Sequence, residues 1–299
     1  MLYDLNIAWS PSTPASTLLA TLAQASALGY DTVALNHTLT LPFPAAPTSP
    51  FPPLPRPSSP SQKLPAVLRR ATLPLADPAA SNYRLSSLLP VYDILAIRPL
   101  TRDAFQNACL TLDVPIISID LTQQLGYYFR PKPCMAAVLR GVRFEVCYAQ
   151  ALRADHRGRA NFIANASGLV RATRGRGIIL SSEAGTPLDL RGPADVINLL
   201  SVWGLGNDKG MDGLRSIPRS VVVNEGIKRN GFRGVVEVVE VAKKPEPSVG
   251  QKEPEDSAAS SRQKRKNAGQ DESGQLSKRQ LKKMKLAART ANAGGPGKA

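Results

Sequence analysis

The chain has 299 residues, 42% of them hydrophobic, which is enough for one large domain or two ordinary ones with a sizeable core. Its net charge of +15 is shared: residues 243–299 hold 14 Lys+Arg against 6 Asp+Glu, and residues 1–242 hold 24 against 17. A basic body followed by a basic end points to polyanionic partners. No apolar stretch approaches the ~20 residues a membrane span needs, so no membrane partner is expected. The start, MLYDLNIAWS, lacks a basic segment before an apolar run, so no secretory signal is expected. Cys109, Cys134 and Cys147 are too sparse and irregular for a metal site, and they read as buried thiols in a reducing compartment.

In chain order, Leu2–Ala8 alternates like a strand and Thr13–Leu28 has helical periodicity, stopped by Gly29. Thr32–Asn36 is a second strand, completing a βαβ unit with a parallel pair. About residues 40–65, Pro and Ser dominate, which forbids helix and removes sheet donors; this reads as a disordered surface insertion. Strands follow at Ala66–Leu73, Tyr92–Arg98, Pro115–Leu121, Val142–Cys147 and Gly177–Ser182. Helices are expected at Pro78–Pro90, Thr101–Leu112, Lys132–Arg140, Arg159–Arg174, Pro193–Trp203 and Pro218–Asn230. Thr101 is a plausible N-cap. VVEVVEV at 235–241 fits either an extra strand or an extended strap.

Seven strands, each except the last followed by its helix, make an α/β fold. Their even spacing over residues 1–242 favours a (β/α) barrel; an open doubly wound sheet is the runner-up. From Lys243 the chain is polar and nearly free of aliphatics, as in a disordered tail. Its basic clusters, Lys264, Arg265 and Lys266, then Lys278, Arg279, Lys282 and Lys283, suit nuclear import or nucleic-acid contact, or simply a solubilising end.

Catalytic chemistry has few candidates. Asp4, Asp120, Glu145 and Glu183 fall at strand positions that a barrel would bring to its mouth, and Asp4 and Asn6 share one face of an alternating strand. Such carboxylates suit Mg²⁺ and a divalent-metal phosphoesterase. The only histidines, His37 and His156, are too far apart for a transition-metal site; His37 suits polar packing and His156 a solvent-facing turn. The glycines of RATRGRGIILSS precede a strand, the wrong order for a phosphate-binding loop. The basic residues say more. Arg98 ends a strand, and Lys132, Arg153, Arg157, Arg159, Arg174, Arg176 and Arg191 fall in turns or at helix ends. The guanidinium fork matches phosphate oxygens, and these eight basic residues are the candidate contacts to RNA or another structured polyanion. Arg191 precedes Gly192 and Pro193, where it and a helix N-terminus could address one anion. Tyr127, Tyr128 and Phe129 before Lys132 suit stacking on an unpaired base.

YDLNI at 3–7, GYDTVALNHT at 29–38, YDILAIRP at 92–99, LDVPIISIDL at 112–121 and GVRFEVCYAQAL at 141–152 stand in an order that resembles the thirty-kilodalton protein subunit family of ribonuclease P and ribonuclease MRP. RANFIANASGLVRATRGRGIILSS at 159–182 and LRGPADVINLLSVWGL at 190–205 continue the resemblance across nearly all of 1–232. It implies a TIM-barrel-like relative of the polymerase-and-histidinol-phosphatase barrels without their metal histidines. It implies a non-catalytic RNA-binding subunit with no cofactor. That subunit supports the catalytic RNA in precursor tRNA and ribosomal RNA processing, assembles with other subunits including a small protein partner, and resides in the nucleus and nucleolus. The Pro-rich insertion and the tail depart from the family core.

Overall fold

A computed structural model describes residues 1–40, 48–52, 63–77, 85–232 and 236–237. Its frame is a sheet of seven parallel strands in sequential order: β1 (Tyr3–Ala8), β2 (Thr32–Thr38), β3 (Ala66–Leu75), β4 (Ile94–Pro99), β5 (Ile116–Ser118), β6 (Arg143–Cys147) and β7 (Ile178–Ser181). Just past β7 the chain returns to β1. Glu183 N–H donates to the Asn6 carbonyl at 2.7 Å and Ala8 N–H to that of Ala184 at 2.9 Å. These bonds make a nearly closed barrel, so the barrel expectation holds over the open sheet.

The helices are α1 (Ala15–Ala27), α2 (Arg102–Leu110), α3 (Pro131–Leu139), α4 (Tyr148–Arg153), α5 (His156–Thr173), α6 (Pro193–Val202), α7 (Asn207–Leu214) and α8 (Ser216–Asn230). Local chemistry sets several boundaries. Thr101 caps α2, its hydroxyl accepting from Ala104 N–H at 3.2 Å. Prolines start α3 and α6, where the missing N–H costs nothing. Asp155 caps α5 by accepting from Gly158 N–H at 2.7 Å. That cap moves the helix start back from the expected Arg159 to His156, so Arg157 and Arg159 lie on a helix rather than in a turn.

Two expectations need correction. No helix follows β2 among the described residues, because the connection to β3 is the proline-rich stretch. Most of that expected insertion lies outside the described residues; at 48–52, which are described, Phe51 packs on Trp9, ring centroids 4.7 Å apart, and on Tyr92 at 5.9 Å. The expected helix at Pro78–Pro90 is, where described, a single 3-10 turn at Leu85–Ser87. Gly231–Phe232 and Val236–Glu237 form a short antiparallel pair; the rest of VVEVVEV, and the tail with its basic clusters, lie outside the described residues.

The barrel wall separates two environments. Alternate strand residues such as Val33, Leu35, Ile97, Ile117, Phe144, Val146, Ile178 and Leu180 face outward under the helices, forming the large core with Phe105, Phe162 and Leu200. The other set faces inward. Its N-terminal layer is apolar: Ala34, Ile94, Ala96, Ile116 and Ile179, joined by Tyr3 and Leu5 and covered by Val221 of α8. Its C-terminal layer is polar, and it leads to the site. The three cysteines are free and buried, and no described helix is long and apolar enough to cross a membrane.

Candidate functional site at the barrel mouth

The polar layer is built around Arg70, which has no exposed side-chain surface. Its Nη1 donates to Glu145 Oε1 at 2.5 Å and to the Leu5 carbonyl at 2.7 Å; Nη2 donates to Glu145 Oε2 at 2.7 Å and Nε to Thr72 Oγ1 at 3.3 Å. Asn6 Nδ2 donates to Glu145 Oε2 at 3.1 Å, Asn36 Nδ2 to Asn6 Oδ1 at 2.9 Å, and Thr72 Oγ1 to Asn36 Oδ1 at 2.7 Å. The network thus runs continuously across β1, β2, β3 and β6. Burial alone would push the Glu145 carboxyl up, but the Arg70 charge and its two hydrogen bonds hold it down to about 2.

A bulge in β1 gives this layer its geometry. Opposite Val33 to Leu35 of β2, the strand advances from Asp4 to Ile7, one residue more than its partner. The extra residue lets Leu5 and Asn6, adjacent in sequence, both join the interior. It also removes Asp4 from the face of Asn6, contrary to the simple alternation. Asp4 is buried instead against Ser182, whose N–H donates to Oδ1 at 3.0 Å. Burial raises its carboxyl to about 6, despite the opposing hydrogen bonds from Ser182 and Asn6. Asp120 has other work, accepting from Thr122 N–H at 3.1 Å and Thr122 Oγ1 at 2.6 Å. Asp4, Asp120 and Glu145, which a divalent-metal phosphoesterase would use together, therefore do not converge, and Glu145 is already neutralised by an arginine. Among the described residues no group of three or more His, Cys, Asp or Glu side chains is placed to hold a metal ion.

Above this layer, at the C-terminal ends of β4–β7, a cavity of about 560 Å³ opens to solvent. Arg98, Arg153 and Arg157 line it, with Gln150, Asn161 and the start of α5. Its hub is Glu183. Arg98 Nη2 donates to Glu183 Oε1 at 2.9 Å, Gln150 Nε2 to Oε2 at 2.6 Å and Arg153 Nη2 to the Glu183 carbonyl at 3.0 Å. Glu183 sits at φ 57, left-handed backbone that costs a non-glycine residue roughly 1–2 kcal/mol, and these bonds hold it there. Although burial works against it, the Arg98 guanidinium is held charged by Glu183 and, more weakly, Glu145. Arg157, exposed in the first turn of α5, reaches Gln124 Oε1 at 3.3 Å. The cavity's carboxylates are all engaged: Asp120 in its loop turn, Asp155 as a helix cap, Glu183 with Arg98 and Gln150.

The other sequence candidates spread over both ends of the barrel. Exposed Lys132 lies in the first turn of α3, after the long β5 loop and hence on the mouth side. Arg159 folds back onto the carbonyls of Ala151 and Ala154, at 3.2 and 3.3 Å. Arg191 caps its own loop: Nη1 donates to the carbonyls of Leu188 and Leu190 at 2.6 and 2.8 Å. Asp195 already occupies the first turn of α6, so the joint anion site expected of Arg191 and that helix has a carboxylate beside it. Arg174 and Arg176 are exposed just before β7, at the opposite end of the barrel from the mouth. Sequence reasoning missed Arg70, Gln150 and the role of Glu183. His37 is polar packing as expected, its Nδ1 3.1 Å from Tyr92 Oη, and His156 is exposed.

The family model of RNase P subunit p30 matches residues 1–230. The "Probable ribonuclease P protein subunit 3" of Schizosaccharomyces pombe is 35% identical over 237 residues, covering 79% of this chain and 98% of that protein. The "Ribonuclease P protein subunit p30" of Mus musculus is 36% identical over 233 residues, covering 75% and 85%. Among solved structures, a chain of an archaeal ribonuclease P with mature tRNA matches with a TM-score of 0.59 at 14% identity, over 81% of this chain and 100% of that one; this likeness concerns the fold. With residues 1–230, the whole barrel, matched, the chain belongs to the RNase P subunit p30 family.

Proposed function

We propose that the chain acts as a non-catalytic RNA-binding subunit of ribonuclease P, and of ribonuclease MRP, contacting the catalytic RNA through the arginines of the barrel mouth. On this reading it supports 5′ processing of precursor tRNA, and ribosomal RNA processing, without supplying reacting groups. It assembles with other protein subunits, a small protein partner among them, in the nucleus and nucleolus, with the basic clusters at 264–266 and 278–283 serving import. The observation that carries this reading is the division of charge. The Glu145 carboxylate inside the barrel is neutralised by Arg70, while at the open cavity Arg157 is exposed and Arg153 is half-exposed, its guanidinium 4.0 Å from Asp189. Phosphate contacts of this kind supply affinity that falls with salt.

The test is titration of the full chain with ribonuclease P RNA at several salt concentrations. Reversing both Arg153 and Arg157 to Glu is expected to weaken binding at least tenfold and to flatten the salt dependence by about one unit of slope per lost phosphate contact. Unchanged affinity and slope would remove the mouth as the RNA surface. Nuclear localisation is tested separately, by replacing the tail lysines and arginines with alanine and following the protein in cells.

A further inference from the structure

We propose that the groove between α5 and the loop at 119–131 takes an unpaired RNA nucleotide, with the Tyr128 ring stacked on its base; this rests on the RNA-binding reading above. Three aromatic residues stand in succession there, and the fold treats them differently. Tyr127 stacks on Phe105, centroids 5.3 Å apart, and Phe129 meets the same ring edge-on at 5.4 Å. With both neighbours anchored in the core, Tyr128 is turned outward and is 93% exposed. It stands at a cavity of about 400 Å³ whose floor is the small-residue face of α5: Ala164, Gly168 and Ala172, spaced four apart. A Cβ at Gly168 would lie 3.6 Å from the Phe129 ring, in ordinary contact.

The groove is preformed. Asn165 Nδ2 donates to the carbonyls of Leu121 and Gln123 at 2.8 and 2.9 Å, and Asn161 Nδ2 to that of Thr122 at 3.1 Å, so one face of α5 pins the loop. Its charge selects the ligand. From Leu121 to Arg140 on one wall, and from Arg157 to Ser182 on the other, the sequence contains no Asp or Glu, while Arg130, Lys132, Arg157 and Arg171 are all exposed. An aromatic face on a cationic, acid-free groove is the arrangement that binds single-stranded nucleic acid: bases stack and phosphates meet the cations. The mouth cavity adjoins the same helix through Asn161 and Gly158, so one strand can occupy both.

The experiment is fluorescence anisotropy of the full chain with a labelled twelve-nucleotide oligouridine and with an RNA duplex of equal length. Tyr128→Ala is expected to weaken the single strand roughly tenfold and leave the duplex unchanged, whereas Tyr128→Phe keeps both. Tyr128 is on the surface, and an unchanged melting curve verifies that the fold is intact. If wild type binds both RNAs and Tyr128→Ala matches it on the single strand, the stacking site is wrong and the RNA-binding reading stands. Equal weakening on both RNAs also overturns it. So does intact RNA binding with loss of another protein subunit, which would assign the groove to a protein. Should wild type bind neither RNA, the broader reading fails together with this one.

Discussion

Arg70 and Arg153 show how differently one residue type is used in two regions of this barrel. Arg70 is fully buried and donates four hydrogen bonds inside the polar layer; Arg153, at the rim, has a half-exposed side chain that donates to one backbone carbonyl and lies 4.0 Å from the Asp189 carboxylate. Between them lies the boundary between a charge that is required for the fold and a charge that is available to a partner. Burying an ion pair carries a desolvation penalty that mutual attraction offsets only when the remaining donors and acceptors are satisfied. Arg70 and Glu145 meet that condition through Asn6, Thr72 and the Leu5 carbonyl. The rim arginines carry no such requirement, so they can be changed without unfolding the protein.

Breaking the interior is expected to have the largest effect. Glu145→Ala leaves the Arg70 guanidinium buried without its counter-charge and should lower stability by about 3–5 kcal/mol, read from urea unfolding. Replacing both partners by apolar residues, Arg70→Met with Glu145→Leu, should recover most of that loss. A Glu145→Ala loss below about 1 kcal/mol would mean the pair is not a unit.

The next largest is a pH effect. Folded Asp4 holds its proton to about pH 6 against an ordinary value of 3.8, so in that window the folded state binds more protons than the unfolded one. Stability from this group is therefore full below about pH 4 and declines as pH rises through 6, by about 3 kcal/mol. Asp4→Asn should abolish that decline in urea midpoints measured across the window. Glu145, held at about 2, acts in the opposite sense: its contribution is present above 4.5 and is lost as pH falls toward 2. At the rim the expected effects are smaller and lie in binding. Arg153→Glu with Arg157→Glu gives up the Glu183 carbonyl bond and the Asp189 ion pair and should change stability by only about 1 kcal/mol while weakening RNA binding. Away from the site, Thr101→Ala removes a helix cap and should cost about 1 kcal/mol in the same unfolding assay.

Much of the frame is legible from sequence because each strand is a short apolar run between turn signals, and runs buried on both faces mark a parallel sheet. Helices α4 and α7 were not. α4 follows β6 with no intervening turn signal. α7 carries Gly210 and Gly213, which read as loop; their purpose is close packing, since a Cβ on Gly213 would lie 3.0 Å from the Ile178 carbonyl. The site was harder still. Nothing local distinguishes Arg70 from Arg69 beside it, yet Arg69 pairs with Asp93 while Arg70 faces a glutamate 75 positions away. Only the register of four strands reveals which of the two is buried. The β1 bulge was likewise invisible, because YDLNIA alternates in sequence whether or not the strand gains a residue on its partner. The rim arginines were suspected as a group from sequence, but only the fold shows what each one meets. Arg191 and Arg159 serve local carbonyls and do not line the cavity, whereas Arg153 and Arg157 line it, Arg153 held by the Glu183 carbonyl and Arg157 by Gln124.

The central claim is that RNA contact resides at the mouth and that the interior charges are structural. It is tested most directly by comparing ribonuclease P RNA affinity for two variants side by side, Arg70→Met with Glu145→Leu and Arg153→Glu with Arg157→Glu. The first is expected to bind as wild type does, the second at least tenfold more weakly. Loss of RNA affinity in the interior variant with the fold retained, together with undiminished binding by the rim variant, would contradict the account.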